Sequence, residues 1–364
     1  MNYRLATVLE REVHASDTTK IIDITLRDPV SQFIIIHEEY NSASGTPTAH
    51  PARCISKIEV VDGSDVIFSL SGVEAQAVDW YHRKVNPACP VFYVPTLYNN
   101  QVFVLNFGRT LWDPLFAFDP KKFSNPQLKI SIDVDAGGLV PSTGYLTVLA
   151  KIFDEKSITP VGFLMHKQVK DYALAASAHE YTDLPRDYAI RKLFARIQKY
   201  GTGPDYAFDN IKLSEDNDKR IPFNHTISQI LNGIVGEQNP LMESYICEGW
   251  TSPTYAYGMM TYWPTYSATI WETTALAVEL SVIEGDGGRF RIDHEGGPGN
   301  TQVLGRGWVP HGAIELAFGV QDDPDDWYDV TKVGNLRLDI KSASGMTSSE
   351  SCQVFVQQLR KYAA

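Results

Sequence analysis

The chain has 364 residues, 43% hydrophobic and 21% charged, rich in Tyr (18), Phe (16) and Trp (7); that length suits two domains, each able to bury a core of its own. No segment approaches the roughly 20 uninterrupted apolar residues that span a bilayer, and no charged-then-apolar leader opens the chain, so neither a membrane helix nor export is expected. A formal net charge of −12 with no run of Lys or Arg excludes direct gripping of nucleic acid.

Residues 1–19 form an N-terminal segment in which Leu5, Val8 and Leu9 recur at helical spacing beside Glu10, Arg11 and Glu12, which predicts a short amphipathic helix. Period-two alternation between turn residues then takes over, the pattern of antiparallel strands with one buried face. It predicts strands over Lys20–Leu26 and Phe33–Glu39. His37-Glu38 offers no metal cradle, because Asn41 rather than a second His stands four positions on. Ser56–Leu70 is the clearest hairpin, with Asp62-Gly63 at a turn that needs positive φ. Ser71-Gly-Val-Glu74 is a capping box, and Val73, Ala77, Trp80 and Tyr81 continue at helical spacing. Strands over Val102–Phe107, Leu128–Val134 and Tyr145–Phe153 complete a first unit, residues 20–160. Residues 161–184, which include Tyr172-Ala-Leu-Ala-Ala-Ser-Ala178, are low in turn and charge signals and are expected to be a linker.

The remainder, residues 185–364, repeats the first unit. Ile211 follows Ile58 by 153 residues, Phe223 follows Phe68 by 155, and the capping box Thr226-Ile-Ser-Gln229 follows Ser71 by 155. Ile227, Ile230, Leu231 and Ile234 then give a second helix. Val104-Leu-Asn-Phe-Gly108 before an Asp/Pro loop matches Glu315-Leu-Ala-Phe-Gly319 before Asp322-Asp-Pro-Asp-Asp326. Leu128–Asp133 matches Leu336–Lys341, and each half closes on one more strand, Leu146–Ile152 and Gln353–Leu359. One such match means little; four in the same order predict a duplicated antiparallel sandwich. Tyr245–Trp271 has no first-half counterpart.

Three stretches carry a resemblance. They are Ile58-Glu-Val-Val-Asp-Gly-Ser with Leu70-Ser-Gly72, the pair Phe107-Gly108 and Leu111-Trp-Asp113, and Asp183-Leu-Pro-Arg-Asp-Tyr188 leading to Ile211-Lys-Leu-Ser-Glu-Asp-Asn217. In that order they resemble the double jelly-roll major capsid proteins of tailless icosahedral viruses with an internal membrane, the adenovirus lineage. The resemblance implies an all-β chain of two tandem eight-stranded jelly rolls with a few short helices. It further implies a homotrimeric, pseudo-hexagonal capsomer tiling a shell, with neighbouring capsomers, penton proteins, minor capsid proteins and the internal membrane as partners. The location implied is the virion capsid, assembled in the host cytoplasm. Leu5, Val8 and Leu9 would then mark a basal helix facing lipid or a neighbour, and the mixed charge favours protein.

Candidate sites are few. The aromatic stretch holding Trp250, Tyr255, Tyr257, Trp263 and Tyr266 suits a contact between subunits, because such rings bury much area with few rotors; internal packing is the competing use. Ser71, Glu74, Thr226 and Gln229 are helix caps, which leaves Asn224-His-Thr226 better explained as a cap than as a glycosylation acceptor. Gly296-Gly-Pro-Gly-Asn300 lacks the Lys-Ser/Thr of a phosphate loop, and Asp322–Asp326 is a solvated acidic loop. Cys54, Cys89, Cys247 and Cys352 are too scattered for zinc and are expected reduced and largely buried. No motif places a nucleophile, so neither enzymatic activity nor a cofactor is expected. The alternative, a two-sandwich glycan-processing hydrolase or sugar-binding protein, would need paired carboxylates at an open cleft, for which Glu243, Glu248 and Glu272 are the only candidates.

Overall fold

A computed structural model describes residues 2–42, 45–87, 89–248, 254–273, 279–295 and 299–362. The chain opens with β1 (Tyr3–His14), β2 (Thr18–Asp23) and β3 (Val30–Asn41). β4 (Ile55–Asp62) reverses into β5 (Asp65–Leu70) at Gly63, whose φ of +61° a side chain would resist. Helix α1 (Gly72–Arg83), β6 (Val91–Tyr93), β7 (Tyr98–Asn106), β8 (Pro126–Ile132) and β9 (Pro141–Phe153) follow. The antiparallel ladders run β1-β9-β3-β7 and β2-β8-β4-β5. Alternation turns Phe33, Ile35, Phe103 and Leu146 of one and Ile58, Val60, Leu128 and Ile130 of the other into a shared core. This strand order is that of an eight-stranded jelly roll.

The same order then recurs. β10 (Gly162–Ala173), β11 (His179–Asp183), β12 (Ile190–Gln198), β13 (Phe208–Glu215), β14 (Arg220–Thr226) and helix α2 (Ile227–Glu237) lead into an insertion. The insertion comprises β15 (Leu241–Glu248), β16 (Thr254–Tyr257), β17 (Met260–Thr273), β18 (Glu279–Asp286), β19 (Arg289–Glu295) and β20 (Gly299–Pro310). β21 (Ala313–Ala317), β22 (Leu336–Ser342) and β23 (Ser351–Lys361) complete the repeat. Its ladders, β10-β23-β12-β21 and β11-β22-β13-β14, match the first pair strand for strand. Ile211, Leu213, Leu338, Ile340, Val354 and Val356 lie in the second core.

One sheet fuses the two sandwiches. A short parallel bridge, Phe68 to His166 and Ser69 to Lys167, makes eight strands continuous in the order β2-β8-β4-β5-β10-β23-β12-β21. β6, though it belongs to the first half, adds in parallel to β15 and edges the sheet β17-β20-β15-β6.

Two expectations are corrected. Residues 3–14 are a strand and not a basal helix. Register shifts between Thr7 and Leu9 and between Leu9 and Glu12 break the alternation and leave Leu5, Val8 and Leu9 at a spacing that imitates a helix. Residues 161–184 are no linker either: β10 and β11 occupy them, and β10 lies within the fused sheet. The strands of the first sandwich end at Phe153 and those of the second begin at Gly162. Among the described residues, no helix is long and apolar enough to cross a membrane.

Candidate assembly surfaces

The seam between the sandwiches is built on α1. The Ser71 hydroxyl accepts the Glu74 amide at 3.4 Å while the Glu74 carboxylate accepts the Ser71 amide at 2.7 Å, which satisfies two of the amides a first turn leaves free. Every residue from Gly72 to Tyr81 is buried. The Tyr81 hydroxyl donates to the Ala313 carbonyl at 2.8 Å, and its ring faces Phe194, which stacks on Phe355 at 4.9 Å. Polar groups on the same side are paired: Lys192 with Glu315, Arg191 with Gln357 and Arg196 with Gln353. β12 and β23 are therefore covered on both faces, by their own core and by the first sandwich.

The insertion is rooted through one carboxylate. His50 Nδ1 accepts the Ala52 amide at 3.1 Å, so its hydrogen sits on Nε2 and is donated to Glu243 Oε1 at 3.1 Å. Glu243 Oε2 accepts from the Tyr245 hydroxyl at 2.5 Å and from the Met259 amide at 2.9 Å. Burial pushes this carboxyl up, but His50 and the two other donors outweigh it and hold Glu243 below the ordinary carboxylate range. A glycosidase acid needs the reverse shift and an open cleft. Glu243 is shifted the other way and is itself buried, while the Glu272 side chain lies outside the described residues.

The aromatic stretch divides. Trp250 lies outside the described residues. Tyr255 sits under the Arg289 guanidinium at 4.0 Å, Tyr257 packs on Tyr200 at 4.5 Å, and Tyr266 packs on Phe290 at 4.5 Å. Trp263 stands apart: it stacks on Tyr262 at 5.0 Å yet is 56% exposed, turned outward where β17 breaks register between Tyr262 and Thr265.

Two surfaces of the described chain stay open. The outward face of β1-β9-β3-β7 carries Ile34, Ile36, Tyr145 and Leu149, each half-buried, and Val102, exposed. Sequence reasoning passed over it, although Phe33-Ile-Ile-Ile36 is apolar on both faces, the mark of a strand covered on both sides. The second surface is α2. It has the same capping box, Thr226 with Gln229, but buries only Ile227, Leu231 and Ile234.

Inside the first sandwich His14 and His37 meet Nε2 to Nε2 at 3.0 Å beneath Gly144. Burial lowers both imidazoles, His37 to about 3. Cys54, Cys247 and Cys352 are buried, and Cys89 is half-buried. Among the described residues, the carboxylates of Asp17, Asp133 and Asp135 converge closely enough to share a cation, but one Asp17 oxygen already accepts the Val134 amide.

No protein-family model matches the sequence, and no curated protein is similar to it. Solved structures are similar over almost the whole chain. The major capsid protein of bacteriophage PM2 matches with a TM-score of 0.56 at 10% identity, over 99% of this chain and 98% of that one. The STIV major capsid protein matches with a TM-score of 0.60 at 9% identity, over 99% and 97%. The capsid protein of PBCV-1 gives 0.57 at 9%, over 98% and 94%. The fold is the double jelly roll. At such identities the likeness lies in backbone path, and the double jelly roll here is recognised by its two matching sets of ladders. The two halves differ in the insertion between α2 and β21, six strands where the first half has only β6 between α1 and β7.

Proposed function

We propose that the chain is the major capsid protein of a tailless icosahedral virus, a building block without enzymatic activity that associates as homotrimers into pseudo-hexagonal capsomers. The observation that carries this reading is the duplication: two sandwiches of one strand order, fused by one sheet, with nearly whole-chain correspondence to viral capsid proteins. Three copies about a threefold axis set six similar units in a ring, and such a ring tiles a surface as a hexagon. The partners in this reading are neighbouring capsomers, penton and minor capsid proteins, and an internal membrane beneath the shell. Assembly is in the host cytoplasm, and nucleic acid is not contacted. Trp263 is the one described member of the aromatic stretch to which we give a contact between subunits.

Native mass spectrometry with negative-stain microscopy of the purified chain tests the proposal. A species of three times 40.7 kDa, about 122 kDa, with a hexagonal outline is expected. A chain that remains monomeric at every accessible concentration refutes the trimer.

A further inference from the structure

We propose that the two four-stranded sheets left separate in the monomer join across the boundary between copies. In this seam β14 of one copy bridges the β1 edge of the next, and α2 packs on the outward face of that copy's β1-β9-β3-β7 sheet. The inference rests on the trimer reading and specifies which surfaces make it.

The argument is that the chain already contains this contact once. Within the monomer, β5 bridges β10 and α1 covers the outward face of β10-β23-β12-β21. By strand order β14 and α2 are the counterparts of β5 and α1, and β1-β9-β3-β7 is the counterpart of the covered sheet. The donor half of the contact is thus repeated in the second sandwich and the acceptor half in the first, both without an occupant in the described chain. A head-to-tail contact between like units either closes into a ring or runs on as a filament; here six sandwiches, three chains, close it. That identifies the occupant as a second copy of this chain.

Burial at matched positions agrees. Phe194 and Phe355, paired across their ladder, are fully buried in the internal seam, whereas their counterparts Ile34 and Leu149, paired in the same way, are half-buried. β5 is buried from Ile67 to Leu70, while no residue of β14 is. The exposed side of α2 carries Gly233 and Gly236, where an added Cβ would meet nothing within 4 Å; small residues there let a sheet approach closely. β1 is a twelve-residue edge strand, a row of backbone donors and acceptors open to another strand. His166 and Lys167 stand opposite Gln357 and Val356. By ladder register the β9 counterparts of those two are Lys151 and Ala150, which places the new bridge at Leu5 and Ala6 of β1.

The test uses the full chain with Cys89→Ser, the other three cysteines being buried. Asn224→Cys on β14 is combined singly with Leu5→Cys, Ala6→Cys and Thr7→Cys, and with Gly345→Cys as a distant control. Mild oxidation is expected to give disulfide-linked chains on a non-reducing gel for at least one β1 position and none for the control. Gly233→Arg, whose side chain has open space in the monomer, is expected to abolish the trimer while leaving the monomer's circular dichroism and melting unchanged. A wild-type trimer in which no β1 position cross-links and Gly233→Arg still assembles overturns this seam and leaves the trimer standing. A wild-type monomer overturns the trimer reading itself.

Discussion

Replacing Glu243 by Ala is expected to loosen the insertion from the sandwiches more than any other single polar substitution. Its carboxylate is the acceptor for the His50 imidazole, the Tyr245 hydroxyl and the Met259 amide, and Ala leaves all three donors buried and unmet. At about 1–3 kcal/mol for each of the three orphaned groups the loss is roughly 3–9 kcal/mol. Water entering from the adjoining cavity of about 200 Å³, which Glu243 lines, draws the result toward the lower end. Glu243→Gln keeps one acceptor oxygen and should cost about 1–2 kcal/mol. Urea denaturation gives the global effect, and hydrogen exchange over Leu241–Glu248 tells whether the loosening is local. The pH dependence follows from the direction of the shift. Glu243 is held below its unfolded value, so its contribution is complete above the ordinary carboxylate range and fades as pH falls through the folded value. The gap between wild type and Glu243→Gln should therefore narrow in acid. A loss under about 1 kcal/mol for Glu243→Ala, or a gap that is flat with pH, would refute this account of the root.

Acid should also weaken the first sandwich through His37. Its imidazole is held neutral at about 3 while the unfolded chain takes up the proton near 6.5, so stability is lost as pH falls below that unfolded value. Between neutrality and pH 5 the loss is roughly 2 kcal/mol, and comparing urea midpoints of wild type and His37→Gln should reveal it as a flatter profile in the variant. Phe355→Ala empties the stacked pair at the internal seam and should cost about 3–5 kcal/mol in thermal or urea unfolding. Gly144→Ala sets a methyl 2.7 Å from the His14 ring, and exchange protection of β1 should fall while that of β22 is unchanged.

The duplication was legible because its markers are local. The Asp62-Gly63 turn and the Ser71 and Thr226 capping boxes are written within a few residues each and recur at one spacing. β1 was misread because bulges disguise a period of two, an effect that comes from its pairing with β9. β10 escaped because its partners, β5 and β23, lie nearly a hundred or more residues away and its outer half, Lys167–Ala173, is only partly buried. β6 is three residues long and exists only because β15 runs beside it. Glu243 was weighed as an acid for catalysis, since nothing in the sequence foretells that His50, 193 residues earlier, would be its partner.

β23 lies in the middle of the fused sheet, between β10 and β12, and supplies Phe355 to the join. Both neighbours are translated some 150 residues or more before it. A nascent polypeptide halted short of Ser351 would display two open strand edges with nothing to zip them together. Such fragments would leave β12 and β21 unjoined to β10 and be prone to clump, so synthesis through Lys361 acts as a gate on which molecules are competent to enter a shell.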